Sequence, residues 1–392
     1  MKDREIRIIR RLWLVPIITL GLVYAVILGR AAFFGFVTDD FFLVNLTYGE
    51  AIYHTLNGPH FRPLWFLSYP FLNSLFGQDA FSHHLVNLLL HAANCVLAFL
   101  WLRKLLGEAK AIFAVLAWTT LPQTVFPVVW ISQRNDGLMG FFLLLSLVAH
   151  GQRHRLSAYL LYVLAFLSKV TCMFFPAVFM TEKGLRQTRG DFIAGLLLLI
   201  LSVMIAGYSL QHMEASEHLA HLSLVMRAAN HCKNLVLGWF TLIVPIPFFA
   251  NALLAFAYFI FAAGTAWLLV KCSRKSAVTW QLLIFSIAMS LPLAMTSEVR
   301  ITYLQSLFLA GAIFSAIDPA IIMANRQAKA VLTITAVAGF IYACPAAYLT
   351  TEKFNSNEYS VNQPSAHPYV MYYLTDFYGW FRDIQKIILK PE

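Results

Sequence analysis

Charged residues are few in this chain. Asp, Glu, Lys and Arg together make up 12% of its 392 residues, about half the roughly 25% of a soluble domain. Cysteine is also sparse: Cys95, Cys172, Cys232, Cys272 and Cys344 lie scattered. No CxxC pair or metal-ligand spacing joins them, so neither a disulfide framework nor a zinc site is indicated. A Gly-rich phosphate loop, a Walker motif and a TPR-like repeat are likewise missing, so ATP-driven transport has no support. No cofactor is expected.

What abounds is apolar sequence, 59% of the chain. Stretches of about 20 apolar residues, enough to cross a bilayer as a helix, recur from end to end. The first is long and lacks a small-x-small cleavage site, so it reads as a permanent span and not a removable signal. The net charge of +10 does not form a single basic patch, which argues against a nucleic-acid partner. Instead the cations fall between spans, as the positive-inside rule describes. The basic breaks are MKDREIRIIRR, RKLLGEAK (103–110), QRHR (152–155), EKGLRQTRGD (182–191), KCSRKS (271–276) and ANRQAK (324–329). Placing all of them in the cytoplasm predicts spans near 12–33, 83–102, 111–129, 137–151, 156–168, 170–181, 192–209, 252–270, 278–295, 302–317 and 330–349. The expected fold class is therefore an all-α polytopic membrane protein of about eleven transmembrane helices, with the N-terminus inside and the C-terminus outside. The fifth and sixth spans are short enough for a broken or re-entrant pair. Segment 234–250 reads either as interfacial or as a further span.

Three outer segments concentrate the chemistry. The first, 34–82, contains GFVTDDFFLVNLTYGE (35–50), with Asp39 and Asp40 side by side among Phe36, Phe41 and Phe42. An ionised carboxylate is costly in such surroundings unless it has a task. Further on, FRPLWFLSYPFLNSLFG is apolar but interrupted by Pro63, Pro70 and Gly77; it predicts one or two short amphipathic helices on the membrane surface. Its Arg62 is an interfacial anchor or a binding residue. The second segment, WISQRND (130–136), carries Arg134 and Asp136, which pair locally or with another span, or serve a substrate. The third, SEVRITYLQS (297–306), places Glu298, Arg300 and Tyr303 at the mouth of the tenth span. Lys169, in the apolar turn FLSKVTC, is expensive there unless it meets an anion. Cations at one membrane depth suit a phosphate at headgroup level, and nearby carboxylates suit general-base work.

The second span carries His84, Asn87, His91 and Asn94 on one helical stripe. Such stripes either join helices through hydrogen bonds or meet a substrate. One metal ion shared by His84 and His91 is excluded, because seven residues of helix separate them by about 10.5 Å of rise.

The order of TDDFFLVN, FRPLWFLSYPFLNSLFG, HLVNLLLHAANCVLAFLWLRKLLG, VVWISQRNDGL and LSKVTCMFFPAVFM resembles the GT-C integral-membrane glycosyltransferases, in particular their protein O-mannosyltransferase-like branch. SEVRITYLQS is similar to a later segment of that branch, with Arg300 and Tyr303 at matching places. The likeness runs over roughly 38–183 and returns at 297–306. It implies a GT-C bundle over 1–349 and an inverting transferase that takes sugar from a polyprenyl-phosphate donor on the non-cytoplasmic face. The first outer loop would supply the general base, which falls on Asp39 with Asp40 as its neighbour. Adjacent side chains diverge, so one can face the acceptor while the other orients a helix end or an Arg. Arg134, Lys169 and Arg300, with Arg62, are candidates for the donor phosphate; Glu298, Tyr303, His84 and Asn87 are candidates for other substrate contacts. The sequence departs from the family in TDD, where an aromatic often precedes the acids, and in SKVT, which lacks the acid that often follows the Lys.

Only 350–392 follow the last expected span, so no TPR array is expected to select a protein acceptor. The reading leans to a glycan or lipid-linked acceptor, such as O-antigen or another envelope glycan, at the periplasmic face of a bacterial inner membrane. The alternatives are a transporter or flippase of lipid-linked glycans, a transferase with a protein acceptor, and a non-catalytic membrane scaffold. In the tail, Tyr373, Phe377, Trp380 and Phe381 share one helical face, expected to lie at the outer interface as an anchor or as a cover for the acceptor entrance.

Overall fold

A computed structural model describes residues 25–36, 39–57, 61–119, 121–181, 189–212, 252–272, 276–290, 303–318 and most of 321–341. The beginning of the expected first span, the ambiguous 234–250 segment, Glu298, Arg300, the end of the expected last span and the aromatic tail lie outside the described residues. Within them the protein is helical, with no strand.

The segment expected as the first outer loop folds into three helices: α1 (Asp40–Leu43), α2 (Tyr48–Asn57) and α3 (Pro63–Phe76). Local chemistry fixes their ends. Thr47 and Glu50 form a reciprocal capping pair: Glu50 accepts from the Thr47 N–H at 2.9 Å and its hydroxyl at 2.7 Å, and the Glu50 N–H points back to the Thr47 hydroxyl. Pro63 begins α3, where its missing N–H costs nothing. The long α4 (Ala80–Leu106) starts at Asp79, whose carboxylate accepts from the Ser82 N–H at 2.9 Å. These bonds hold the Glu50 and Asp79 carboxyls below their ordinary pKa values. Both helix starts are therefore secured above the usual carboxylate range and loosen as pH falls through the lowered values.

Gly107, at φ 80°, closes α4 in the left-handed region and lets α5 (Glu108–Thr119) turn straight back. Where one span was expected over 111–129, the chain breaks: α5 ends at Thr119 and α6 (Pro122–Val129) starts afresh. Leu121 is extended (ψ 137°) because the following Pro122 disfavours the helical conformation at the residue before it. A short turn, Ile131–Gln133, leads into α7 (Arg134–Gly151), and α8 (Arg155–Ser168) returns beside it. The expected span over 170–181 is no continuous helix. Lys169 is extended, Val170–Cys172 forms a 3₁₀ turn, and only Ala177–Thr181 (α9) is helical again. Then come α10 (Arg189–His212), α11 (Ala252–Cys272), α12 (Ala277–Ser290) and α13 (Tyr303–Ala316).

Two of the described helices, Ala80–Leu106 and Gly190–Gly207 within α10, are long and apolar enough to cross a membrane. Along α10, Leu197 and Met204 are exposed. The main core gathers α4, α5, α7, α8, α12 and α13 around Trp101, Trp118, Leu143, Tyr162, Phe175 and Phe308. A smaller core under the first loop joins Leu43, Val44, Trp65, Phe66, Tyr69 and Ile131.

Small residues bring α4, α7 and α13 close. A Cβ added at Gly140 would stand 3.0 Å from the Asn94 amide nitrogen and 3.0 Å from a Tyr303 ring carbon. Gly140→Ala is therefore expected to cost about 1–3 kcal/mol by overpacking, whereas Gly207→Ala, with nothing within 4 Å, should be neutral or stabilising. Thermal unfolding of the two detergent-solubilised variants checks the contrast.

Candidate functional site

The turn holding the two acids is amphipathic. The Leu43 N–H bonds the Asp39 carbonyl at 3.0 Å, so residues 39–43 form one helical turn. Asp39 and Phe42, three apart and therefore neighbours on its surface, face outward. Asp40 and Leu43 face inward. Asp40 is 0% exposed, and its carboxylate accepts from the Ser132 backbone N–H at 2.8 Å. It thus secures the turn that starts α7, a place where helix geometry leaves N–H groups to be satisfied. The two carboxylates have diverged: one is exposed at the loop surface, the other is an interior anchor.

Next to Asp40 lies Arg134, buried at the first position of α7 and within the electrostatic reach of that carboxylate. Its Nε donates to Asn87 Oδ1 at 3.0 Å, and Nη2 donates to His83 Nδ1 at 2.9 Å and to the His83 carbonyl at 3.3 Å. Nη1 reaches Ser68 Oγ at 3.5 Å, and the guanidinium lies 4.7 Å from the centre of the Tyr69 ring. The Tyr69 hydroxyl donates to the Ile131 carbonyl at 3.1 Å. Burial pushes its pKa up, Arg134 pulls it down, and Asp40 and Asp39 add to the rise, so it stays a neutral donor at any working pH.

His83 was not singled out from the sequence, yet it ties this centre together. Arginine only donates, so Nδ1 accepts, and the proton sits on Nε2, which bonds Asn73 Oδ1 at 2.9 Å. Asn73 in turn donates to the Val44 carbonyl at 2.5 Å, and Gln78 donates to the same carbonyl at 3.3 Å. The acidic turn is held at both ends: Asp40 on Ser132, Val44 on Asn73. The available signals were i, i+4 pairs of polar residues in apolar helices, His83 with Asn87 and Tyr69 with Asn73.

The other expected residues lie deeper or apart. Lys169 meets the anion it requires within the protein: its Nζ is 2.6 Å from Asp136 Oδ2, and both side chains are buried. The geometry suits both charges, because Asp136 occupies the first turn of α7 and Lys169 caps the end of α8, where the helix dipoles favour an anion and a cation respectively. The sequence reading offered both Arg134 and Lys169 to a donor phosphate; the structure engages their charged groups with protein partners. Asn87 also donates to the Trp130 carbonyl at 3.2 Å, and His84 Nε2 points to the Gly35 carbonyl at 3.4 Å. Tyr303 is buried, its hydroxyl 2.8 Å from His91 Nδ1 and 3.1 Å from Asn94 Nδ2, and its carbonyl accepts from the Trp118 indole at 2.7 Å. The polar stripe of α4 is thus used in joining helices. Arg62, half-buried before α3, stacks over Trp65 at 5.3 Å. Arg300 and Glu298 lie outside the described residues. Among the described residues no group of three or more His, Cys, Asp or Glu is placed to hold a metal ion.

Lys169→Ala is expected to destabilise the fold by about 3–5 kcal/mol, since it strands a buried carboxylate. Lys169→Met combined with Asp136→Asn should recover much of that loss. Melting curves of the single and double variants give the coupling, and equal losses in both would remove the ion pair from the stability argument. Compared with family models, curated proteins and solved structures, the chain matches none.

Proposed function

We propose that the protein is a polytopic membrane glycosyltransferase of GT-C type, transferring a sugar from a polyprenyl-phosphate donor to a glycan or lipid-linked acceptor. In this reading the described helices belong to a bundle of about eleven spans, set in a bacterial inner membrane with the first loop on the periplasmic side. The observation that carries it is the division of labour in one helical turn: Asp39 exposed, Asp40 buried on the Ser132 N–H beside Arg134. A base must reach the acceptor, and it needs a rigid backing; the turn has both. The ordered motifs that resemble the GT-C transferases give the reaction its class.

The chemistry follows from the groups. Asp39 removes the proton of the acceptor hydroxyl, whose oxygen attacks the anomeric carbon. The bond from that carbon to the phosphate oxygen breaks, the electron pair leaves with the polyprenyl phosphate, and configuration at the carbon inverts. The departing anion needs cationic stabilisation. Arg62, at the start of α3, and Arg300 are the cations we assign to it; Arg134 and Lys169 act by holding the acidic turn and the α7–α8 junction. No metal is required by this scheme.

Transfer of label from a radiolabelled polyprenyl-phosphate sugar into acceptor, in membranes with and without the protein, tests the reading. Movement of labelled lipid across the bilayer with no new glycosidic bond would make it a flippase. Asp39→Asn is expected to lower turnover about 10²–10⁴-fold with unchanged melting temperature and donor binding. Asp40→Asn should instead lower stability by about 1–3 kcal/mol through its buried bond, with a smaller effect on turnover per folded molecule. Normal turnover by the Asp39→Asn protein would remove Asp39 from the mechanism.

A further inference from the structure

A line of rings runs from the exposed carboxylate to the half-buried guanidinium of the first loop. Phe42 sits beside Asp39 on the outer side of the turn and is 51% exposed. The His54 ring meets Phe42 edge-on at 5.1 Å and stacks on Phe66 at 6.0 Å with an angle of 27°. Phe66 packs against Trp65 at 4.6 Å, and Arg62 lies over the Trp65 ring at 5.3 Å. Phe66 and Trp65 are buried backing in the small core; Phe42 and the half-buried His54 form the accessible top.

A surface meant only for lipid tails has no use for an imidazole wedged between phenyl rings, nor for a carboxylate one helical turn away. A pyranose has use for all of it. Its C–H face packs on an aromatic ring, and its hydroxyls need polar partners at the ring edge, which an imidazole N–H or nitrogen supplies. The ends of the array match the two ends of the reaction. A sugar lying on Phe42 and His54 has Asp39 on one side, where an acceptor hydroxyl is deprotonated. Arg62, where a phosphate leaves, joins the array through Trp65 and Phe66. Inversion requires the acceptor and the phosphate on opposite sides of the anomeric carbon, and Asp39 and Arg62 stand at the two ends of this succession of ring contacts.

We infer that Phe42 and His54 form the subsite for the sugar ring of the donor, a hexose-type pyranose carried on polyprenyl phosphate, between Asp39 and Arg62. The inference rests on the glycosyltransferase reading and deepens it. The subsite confers selectivity for the glycosylated lipid over the bare one, so its loss affects sugar recognition and leaves lipid-phosphate recognition in place.

The test uses the full-length protein in nanodiscs, titrated in parallel with polyprenyl-phosphate hexose and with sugar-free polyprenyl phosphate. Phe42→Ala and His54→Ala are each expected to weaken binding of the glycosylated lipid about tenfold, to raise KM with little change in kcat, and to leave the bare lipid unaffected. Phe42→Trp should restore binding. Phe76→Ala, which removes an exposed ring of the same loop outside the array, should change neither lipid's binding. Equal weakening for both lipids, or none for either, overturns the subsite while leaving the glycosyltransferase reading intact. A wild-type protein that binds neither lipid overturns the reading, and the subsite with it.

Discussion

A guanidinium buried at the start of a helix imposes terms on everything around it. Arg134 has five N–H groups and a charge that water no longer screens. The fold meets these demands from three directions: Ser68 and Tyr69 on α3, His83 and Asn87 on α4, and the Asp40 carboxylate on the acidic turn. None of these contacts is worth much alone. Together they fix where α3 lies over α4 and α7, and so where the first loop presents Asp39. Removing any one partner leaves a buried donor or charge uncompensated, which costs more than the bond itself gained.

The same economy operates one helix further on. Asp136 and Lys169 face each other where α7 begins and α8 ends, so each charge is stabilised by its partner and by the dipole of its own helix. The Tyr303 hydroxyl does comparable work lower in the bundle, accepting from α4 while its carbonyl receives the Trp118 indole of α5. Polar contacts of this kind are how helices that share an apolar surrounding acquire a definite register. In this chain they lie along one side of α4, and the acidic loop is fastened to its N-terminal end.

Much of the helical architecture was legible. Apolar runs over 83–102, 137–151, 192–209, 252–270 and 302–317 became α4, α7, α10, α11 and α13, since a long apolar run has few ways to satisfy its backbone other than a helix. The interrupted run after Arg62 became the short α3. The breaks were harder. A run over 111–129 looks continuous on hydropathy alone, but Pro122 divides it, and the segment after Lys169 turns before it can span. The divergence of Asp39 and Asp40 follows from adjacency in a helical turn; which of them turns inward does not.

By itself, the sequence determined that the protein is helical and apolar, that an adjacent pair of acids stands ahead of α4 among aromatic residues, and that a cation set in an apolar stretch, such as Lys169, needs an anion or a set of acceptors. Only the tertiary structure decided the partners. Lys169 is paired with an aspartate 33 residues away, and Tyr303 with an asparagine 209 residues away. The reason is physical: a buried charge or hydroxyl is satisfied by atoms within about 3 Å. Which atoms come that close is set by the crossing and register of packed helices, and the spacing of residues along one helix carries no record of either.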